Sequence, residues 1–319
     1  MTDGLPVVPP TEERLRAMLG GTRRPADEVV AVLDPLKGEA TVEKIAINAV
    51  MAGCLPEYLP VLVAAVEAMV APEFNLYTMQ TTTSPVGPMI VLNGPIRREL
   101  DVNCGASCMG PGRRSNATIG RAVRLILLNI GGGIPGLIDQ ATHGQPAKYT
   151  FCYGENEEES PWEPFHVEQG FAPEQSTVSV FAAHGDADML DIVTQTGEAM
   201  LRSFAQTING VNLHNTQRPF HAPMVVFGPE HARIVASAGF SKAEAKRYLY
   251  EQSGVPLEHF SPDMQQGRIA RWGWAKEGLV RPGPGAEGRE GIRILVAGGV
   301  GPHSEYVSCT TQSIRPIGD

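Results

Sequence analysis

The chain has 319 residues, among them 35 glycines and 26 prolines, with 42% hydrophobic and 19% charged residues and a formal net charge of −9. So much apolar content with so little charge excludes a disordered chain, and the glycine and proline excess therefore belongs to ordered turns. Basic residues are scattered apart from pairs such as Arg23-Arg24, Arg97-Arg98 and Arg113-Arg114, which argues against nucleic-acid binding; no apolar run reaches the roughly 18 residues a bilayer span needs.

These features describe a soluble, cytoplasmic protein, and its five cysteines are too few and too unevenly spaced for a disulfide framework. In chain order, Thr11 caps a first helix that presents Leu15, Met18 and Leu19 and stops at Gly20-Gly21. A second short helix is expected over residues 26–33. Thr41 opens a third, through Ile45, Ile47, Ala49 and Val50, which breaks at Gly53-Cys54-Leu55-Pro56. Residues 57–70 form a helix that is apolar on every side and hence buried.

Extended segments are expected at 76–82 and 88–93, the second an interior strand, Met89-Ile90-Val91-Leu92, ending at Asn93-Gly94-Pro95. The loop 103–112 leads into a helix capped by Ser115 or Asn116, which runs to about Asn129 and is closed by Gly131-Gly132-Gly133. Strands follow at 149–153 and 177–182, then a helix over 188–208, a strand at 224–227, helices at 230–238 and 241–252, and a last strand at 293–297. Helices and strands alternate, so the fold class is α/β, with mixed α+β as the alternative: a layered sheet with helices packed on it. A main α/β domain is placed at 1–220 and a smaller C-terminal α/β subdomain at 221–319. The Pro-rich stretch 218–223 is either their linker or a loop within one domain.

Several residues carry chemistry. Cys54 sits just ahead of a helix start, where unpaired N–H groups favour a thiolate, and Glu57 follows three residues on. The bland reading of Cys54 is a buried apolar residue. Cys104 and Cys108 are separated by three residues, unlike common zinc or redox pairs, but their glycine-rich loop can bend enough for a reversible disulfide. That loop ends at Arg113 and Asn116 and leads to Arg121 and Arg124, a candidate anion site of backbone N–H and guanidinium groups. The acidic run that includes Glu157 and Glu158 precedes His166, giving an acid/base pair or, with His184, a divalent-metal site. Asn93 ends a strand, and His303 and Ser304 follow the glycine-rich turn after another, both addresses for substrate contacts.

The segments Gly4-Leu5-Pro6-Val7-Val8-Pro9-Pro10-Thr11, Asn48-Ala49-Val50-Met51-Ala52-Gly53-Cys54-Leu55-Pro56-Glu57-Tyr58, Asn93-Gly94-Pro95, Asn116-Ala117-Thr118-Ile119-Gly120-Arg121-Ala122, Glu155-Asn156-Glu157-Glu158 and Ser160-Pro161-Trp162-Glu163-Pro164 together resemble the larger portion of the bacterial UGSC-type (seleno)proteins, over most of the chain. In that family this portion is joined to, or encoded beside, a smaller domain whose motif is selenocysteine or cysteine followed by Gly-Ser-Cys. This chain has no Cys-Gly-Ser-Cys; its Cys104-Gly105-Ala106-Ser107-Cys108 is one residue longer and lies elsewhere, so the redox motif does not transfer. The resemblance implies one half of an enzyme, with a smaller thiol- or selenol-bearing partner subunit.

The functional expectation is cysteine-dependent lyase, hydrolase or thiol-redox chemistry on a small anionic metabolite. Cys54, Glu57, His166 and Glu158 would be catalytic; Asn93, Cys108, Arg113, Asn116, Arg121, His303 and Ser304 would bind substrate. The alternatives are a non-catalytic scaffold subunit, or a metal-dependent hydrolase or lyase built on Glu157, His166 and His184.

Overall fold

A computed structural model describes residues 1–215, 223–272, 275–281 and 291–318. It is a mixed α/β protein with a six-stranded mixed sheet and helices packed on it. The chain forms two compact units: Met1–Glu155 with Phe165–Gly185 and Thr311–Asp319, and Asn156–Pro164 with Asp186–Thr310. They interleave along the sequence, so a single boundary near residue 220 does not describe them. Residues 218–222 of the expected linker lie outside the described residues. Among the described residues no single helix is long and apolar enough to cross a membrane.

The first unit opens with α1 (Glu12–Leu19), whose N-cap Thr11 accepts from the Arg14 N–H. The helix expected over 26–33 is instead a strand, β1 (Val29–Leu33), paired antiparallel with β2 (Gly38–Thr41). Three valines among its five residues favour extended backbone, and its alternate residues Ala31 and Leu33 are buried. Thr41 then caps α2 (Val42–Ala52), which ends on Gly53 at φ 90°. After a short turn comes α3 (Leu59–Met69), buried nearly throughout as its composition requires.

The extended segment expected at 76–82 is a short helix, α4 (Leu76–Thr81), in which the Thr81 hydroxyl bonds back to the Tyr77 carbonyl. β3 (Gly87–Asn93) is buried along its whole length and is followed by α5 (Ile96–Glu99) and α6 (Arg114–Asn129). α6 starts at Arg114, so Ser115 and Asn116 lie inside its first turn and do not cap it. β4 (Cys152–Gly154) runs parallel to β3, and α7 (Phe165–Glu168) precedes β5 (Thr177–Leu190), which is antiparallel to β3 from Gly87↔Ala183 to Asn93↔Thr177. The strand expected at 149–153 is thus shorter, and the one expected at 177–182 longer. The core of this unit joins residues of α2, α3 and α6, such as Ile45, Leu62 and Ile126, to Ile90 and Leu92 of β3 and Val178 and Val180 of β5.

In the second unit α8 (Gly197–Asn215) begins nine residues after the expected Asp188, which lies in β5. Its Met200, Phe204 and Ile208 pack with Val225 and Phe227 of β6 (Met224–Phe227). Next come α9 (Pro229–Ser237) and α10 (Lys242–Gln252), the latter started by a reciprocal Ser241–Glu244 capping box. β7 (Val255–Pro256), α11 (Pro262–Met264), α12 (Ala270–Trp272), β8 (Ala275–Lys276) and β9 (Leu279–Val280) follow, the three strands forming a small sheet in the order β7-β9-β8. β10 (Arg293–Val296) lies parallel to β6 and β11 (His303–Pro316) antiparallel to it. β11 is absent from the sequence expectation because its serines, threonines and glutamine dilute the apolar signal. Its last residues return to the first unit, where Thr311 Oγ1 donates to the Phe74 carbonyl and the Ile317 N–H to the Ser176 carbonyl.

Candidate functional site

The C-terminal ends of parallel strands leave backbone groups open for ligands, a frequent site address in α/β sheets. Here the ends belong to β3 and β4, whose register pairs Leu92 with Gly154. The next residues along, Asn93 and Glu155, are therefore brought side by side. Asn93 Nδ2 donates to Glu155 Oε2 at 2.6 Å, and the Phe165 N–H donates to the same oxygen at 2.8 Å. The Glu155 carbonyl accepts from Arg97 Nη1 at 2.6 Å, while Arg97 Nε donates to the Gly94 carbonyl at 3.1 Å. Asn93, Arg97 and Glu155 are all buried. Gly94 has φ 79°, and a Cβ there would lie 2.3 Å from the Gln175 carbonyl oxygen, so only glycine makes this turn.

Against this cluster lies the loop 103–112. The Gly154 N–H bonds the Asn103 carbonyl, fixing the start of the loop to the end of β4. Asn116, on the first turn of α6, accepts from the Asn103 N–H and donates to the carbonyls of Asn103 and Cys108, at 2.8 to 3.0 Å. Within this frame Cys104 Sγ lies 4.0 Å from Arg97 Nη1. Of the five cysteines, Cys104 alone is not buried. A guanidinium beside a partly accessible thiol stabilises the thiolate, the form that attacks carbon or sulfur. A Cβ on Gly154 would meet the Arg97 stem at 3.2 Å and Cys104 Cβ at 3.3 Å, so this glycine sets how closely the two approach β4.

The other expected site residues sit elsewhere. Cys54 is in the core, its thiol donating to the Thr118 carbonyl, and burial pushes it up to about 12. Desolvation thus opposes the thiolate expected from the helix start. Glu57 is exposed. The arginines near the α6 start do not converge on an anion site: Arg113 lies 3.3 Å from Asp101, Arg114 bonds the Gly53 carbonyl, and Arg121 grips Asp3 and the Pro6 carbonyl. Cys108 is buried, and its carbonyl, together with Asn116, serves the loop.

His166 is fully buried in α7, next to the Phe165 that bonds Glu155, and its Nε2 lies 3.4 Å from the Pro173 carbonyl. His184 Nδ1 is 2.8 Å from Ser84 Oγ. Glu157 and Glu158 belong to the second unit, and among the described residues no three His, Cys, Asp or Glu side chains are grouped as metal ligands.

His303 and Ser304 also belong to the second unit. His303 Nδ1 is 2.9 Å from Asp188 Oδ1 on an exposed face. Ser304 is buried with His231: His231 Nε2 donates to the Asp191 carbonyl at 3.0 Å, and Nδ1 lies 2.8 Å from the Ser304 hydroxyl. Ser304 in turn accepts the Gly228 N–H. Closed on every side, this chain of bonds ties β11 to α9 and the end of β6. Beside it, burial first and the nearby Asp186 and Asp188 second raise the Glu305 carboxyl to about 7, with His303 opposing them.

Sequence reasoning counts Glu155 only as one carboxylate of the acidic run and does not single out Arg97. For Glu155 a signal exists, since it lies two residues beyond an expected strand and is the first of the acidic run. For Arg97 there is only its place one turn beyond Asn93-Gly94-Pro95. No protein-family model matches the chain, and no curated protein matches it either.

Proposed function

We propose that the protein is a cysteine-dependent enzyme, or the larger subunit of one, acting on a small anionic metabolite, with Cys104 in the role that sequence alone gives to Cys54. The observation that carries this reading is the half-buried Cys104 thiol 4.0 Å from the buried Arg97 guanidinium, at the ends of two parallel strands. Arg97 is anchored by the Gly94 and Glu155 carbonyls, so its charge is fixed in place before any substrate arrives. Glu155, itself held by Asn93 and the Phe165 N–H, positions Arg97 through its backbone.

Alkylation of the native protein by iodoacetamide, followed cysteine by cysteine with mass spectrometry across pH, tests this. Cys104 is expected to react first and to do so already near pH 7, below the ordinary thiol range of about 8.5. Arg97→Gln should slow it at neutral pH and much less at alkaline pH. A Cys104 that titrates as an ordinary thiol, with a rate indifferent to Arg97, overturns the reading.

The resemblance to the larger UGSC-type portion supports a second component. A smaller subunit arriving with its own disulfide or selenenylsulfide could be attacked there by the Cys104 thiolate, forming a mixed disulfide and releasing the partner's other sulfur as a thiol. Co-purification of the product of the adjacent reading frame, lost on Cys104→Ser under non-reducing conditions, supports this arrangement. Turnover by the purified chain alone removes the scaffold reading.

A further inference from the structure

Away from Cys104, the first unit holds a cavity of about 600 Å³ between the N-terminal segment, α6 and the chain from Pro135 to Tyr149. That volume suits a small organic molecule. Leu128, Pro135 and Tyr149 give it apolar walls, and one end is charged. There Lys148 Nζ pairs directly with Asp139 Oδ2, and Arg124 Nη2 lies 3.8 Å from the same oxygen. Arg124 Nε donates to the Lys148 carbonyl at 3.0 Å. The three side chains are only 11%, 14% and 9% exposed for Arg124, Lys148 and Asp139.

Two cations thus share one carboxylate. Asp3, the other carboxylate among the described lining residues, is taken up by Arg121 through bonds of 2.8 and 2.9 Å, and His143 at the rim is exposed. One positive charge is left over where water screens poorly, and an uncompensated buried ion is costly. A ligand carboxylate would make the balance two against two, and its paired oxygens match a guanidinium beside an ammonium. Burial disfavours the charged form of Lys148, with Arg124 adding to that and Asp139 opposing it; a second anion would act in the same direction as Asp139.

We propose that this cavity binds a small organic monocarboxylate, its head group between Arg124 and Lys148 and its apolar body against Leu128, Pro135 and Tyr149. The cavity lies by the chain leading into β4, whereas Glu155 and Cys104 lie at the other end of that strand. It is a second site, and it stands or falls independently of the thiol chemistry.

Calorimetric titration of the full chain with hexanoate, benzoate, succinate, inorganic phosphate and the neutral hexanamide tests the proposal. Hexanoate or benzoate is expected to bind saturably at one per chain, and hexanamide at least about tenfold more weakly. Lys148→Met, which removes the surplus charge, should weaken binding by about tenfold or more, and Ala141→Trp, which fills the cavity with its charges intact, should abolish it. Arg124→Met should act like Lys148→Met; if it does not fold, the other two variants decide. Cys104→Ala should bind as the parent does.

Three results overturn the proposal: no saturable binding of either monocarboxylate up to about 10 mM, tighter binding of phosphate than of both, or undiminished binding in Ala141→Trp. Loss of binding in Cys104→Ala would overturn the independence of the two sites.

Discussion

Burial decides which of the five cysteines can ionise near neutral pH, because taking a thiolate out of water costs more than a helix start returns. Cys54 and Cys309 are each pushed up to about 12, and Cys152 is raised as well, all chiefly by burial. Cys54→Ala therefore deletes packing and one weak hydrogen bond. It is expected to lower stability by about 1 kcal/mol in chemical denaturation while leaving the alkylation rate of Cys104 unchanged. Glu305 shows the same desolvation acting on a carboxyl, raised from 4.5 to about 7. Below pH 4.5 it is protonated in both folded and unfolded chains and carries no penalty. As pH rises toward 7 and beyond, the unfolded chain loses this proton more readily, and folded stability falls. Glu305→Gln should then stabilise the protein at pH 8 and leave it unchanged at pH 4.5, read from denaturation midpoints at the two values. An equal gain at both would show that charge is not the cause.

Two glycines of the first unit let elements approach closely, Gly120 more tightly than Gly154. A Cβ on Gly120 of α6 would fall 2.5 Å from Thr150 Oγ1 and 2.8 Å from the Phe151 nitrogen, just ahead of β4. Alanine normally stabilises a helix by about 1 kcal/mol over glycine, but the overpacking of about 1–3 kcal/mol outweighs it. Gly120→Ala is expected to lower the melting temperature, and an unchanged or raised value would show that α6 is not held against this segment. At Gly154 the contacts are looser, 3.2 Å to Arg97 Cδ and 3.3 Å to Cys104 Cβ. Gly154→Ala should keep the fold and shift the pH profile of Cys104 alkylation, which a purely structural glycine would not do.

Elements with strong local grammar were legible in the sequence: the capped α1 and α2, the all-apolar α3, and the continuous run of β3. β1 was misread because its five apolar residues suit either period, and β11 because its polar residues hide a strand. The site was legible only at one remove. Asn93 is named by its turn, but its partner Glu155 is 62 residues away, and Arg97 reaches the Glu155 carbonyl across 58. The parallel pairing of β3 with β4 is what brings these residues together, and no local spacing encodes it.

For the whole molecule the interleaving of the two units governs what a cut can achieve. A fragment of residues 1–220 lacks Thr311 and Ile317, which bond Phe74 and Ser176 in the first unit, and it carries α8 without β6. It is expected to be insoluble or to melt without a cooperative transition by circular dichroism. A cooperative melt at the temperature of the full chain would show instead that residues 1–220 fold alone. The same return of β11 sets an order on biosynthesis. Domains whose contacts are contiguous can fold as they leave the ribosome. Here the first unit gains its last hydrogen bonds, Thr311 to Phe74 and Ile317 to Ser176, only after the whole of Asp186–Thr310 in the second unit has been made.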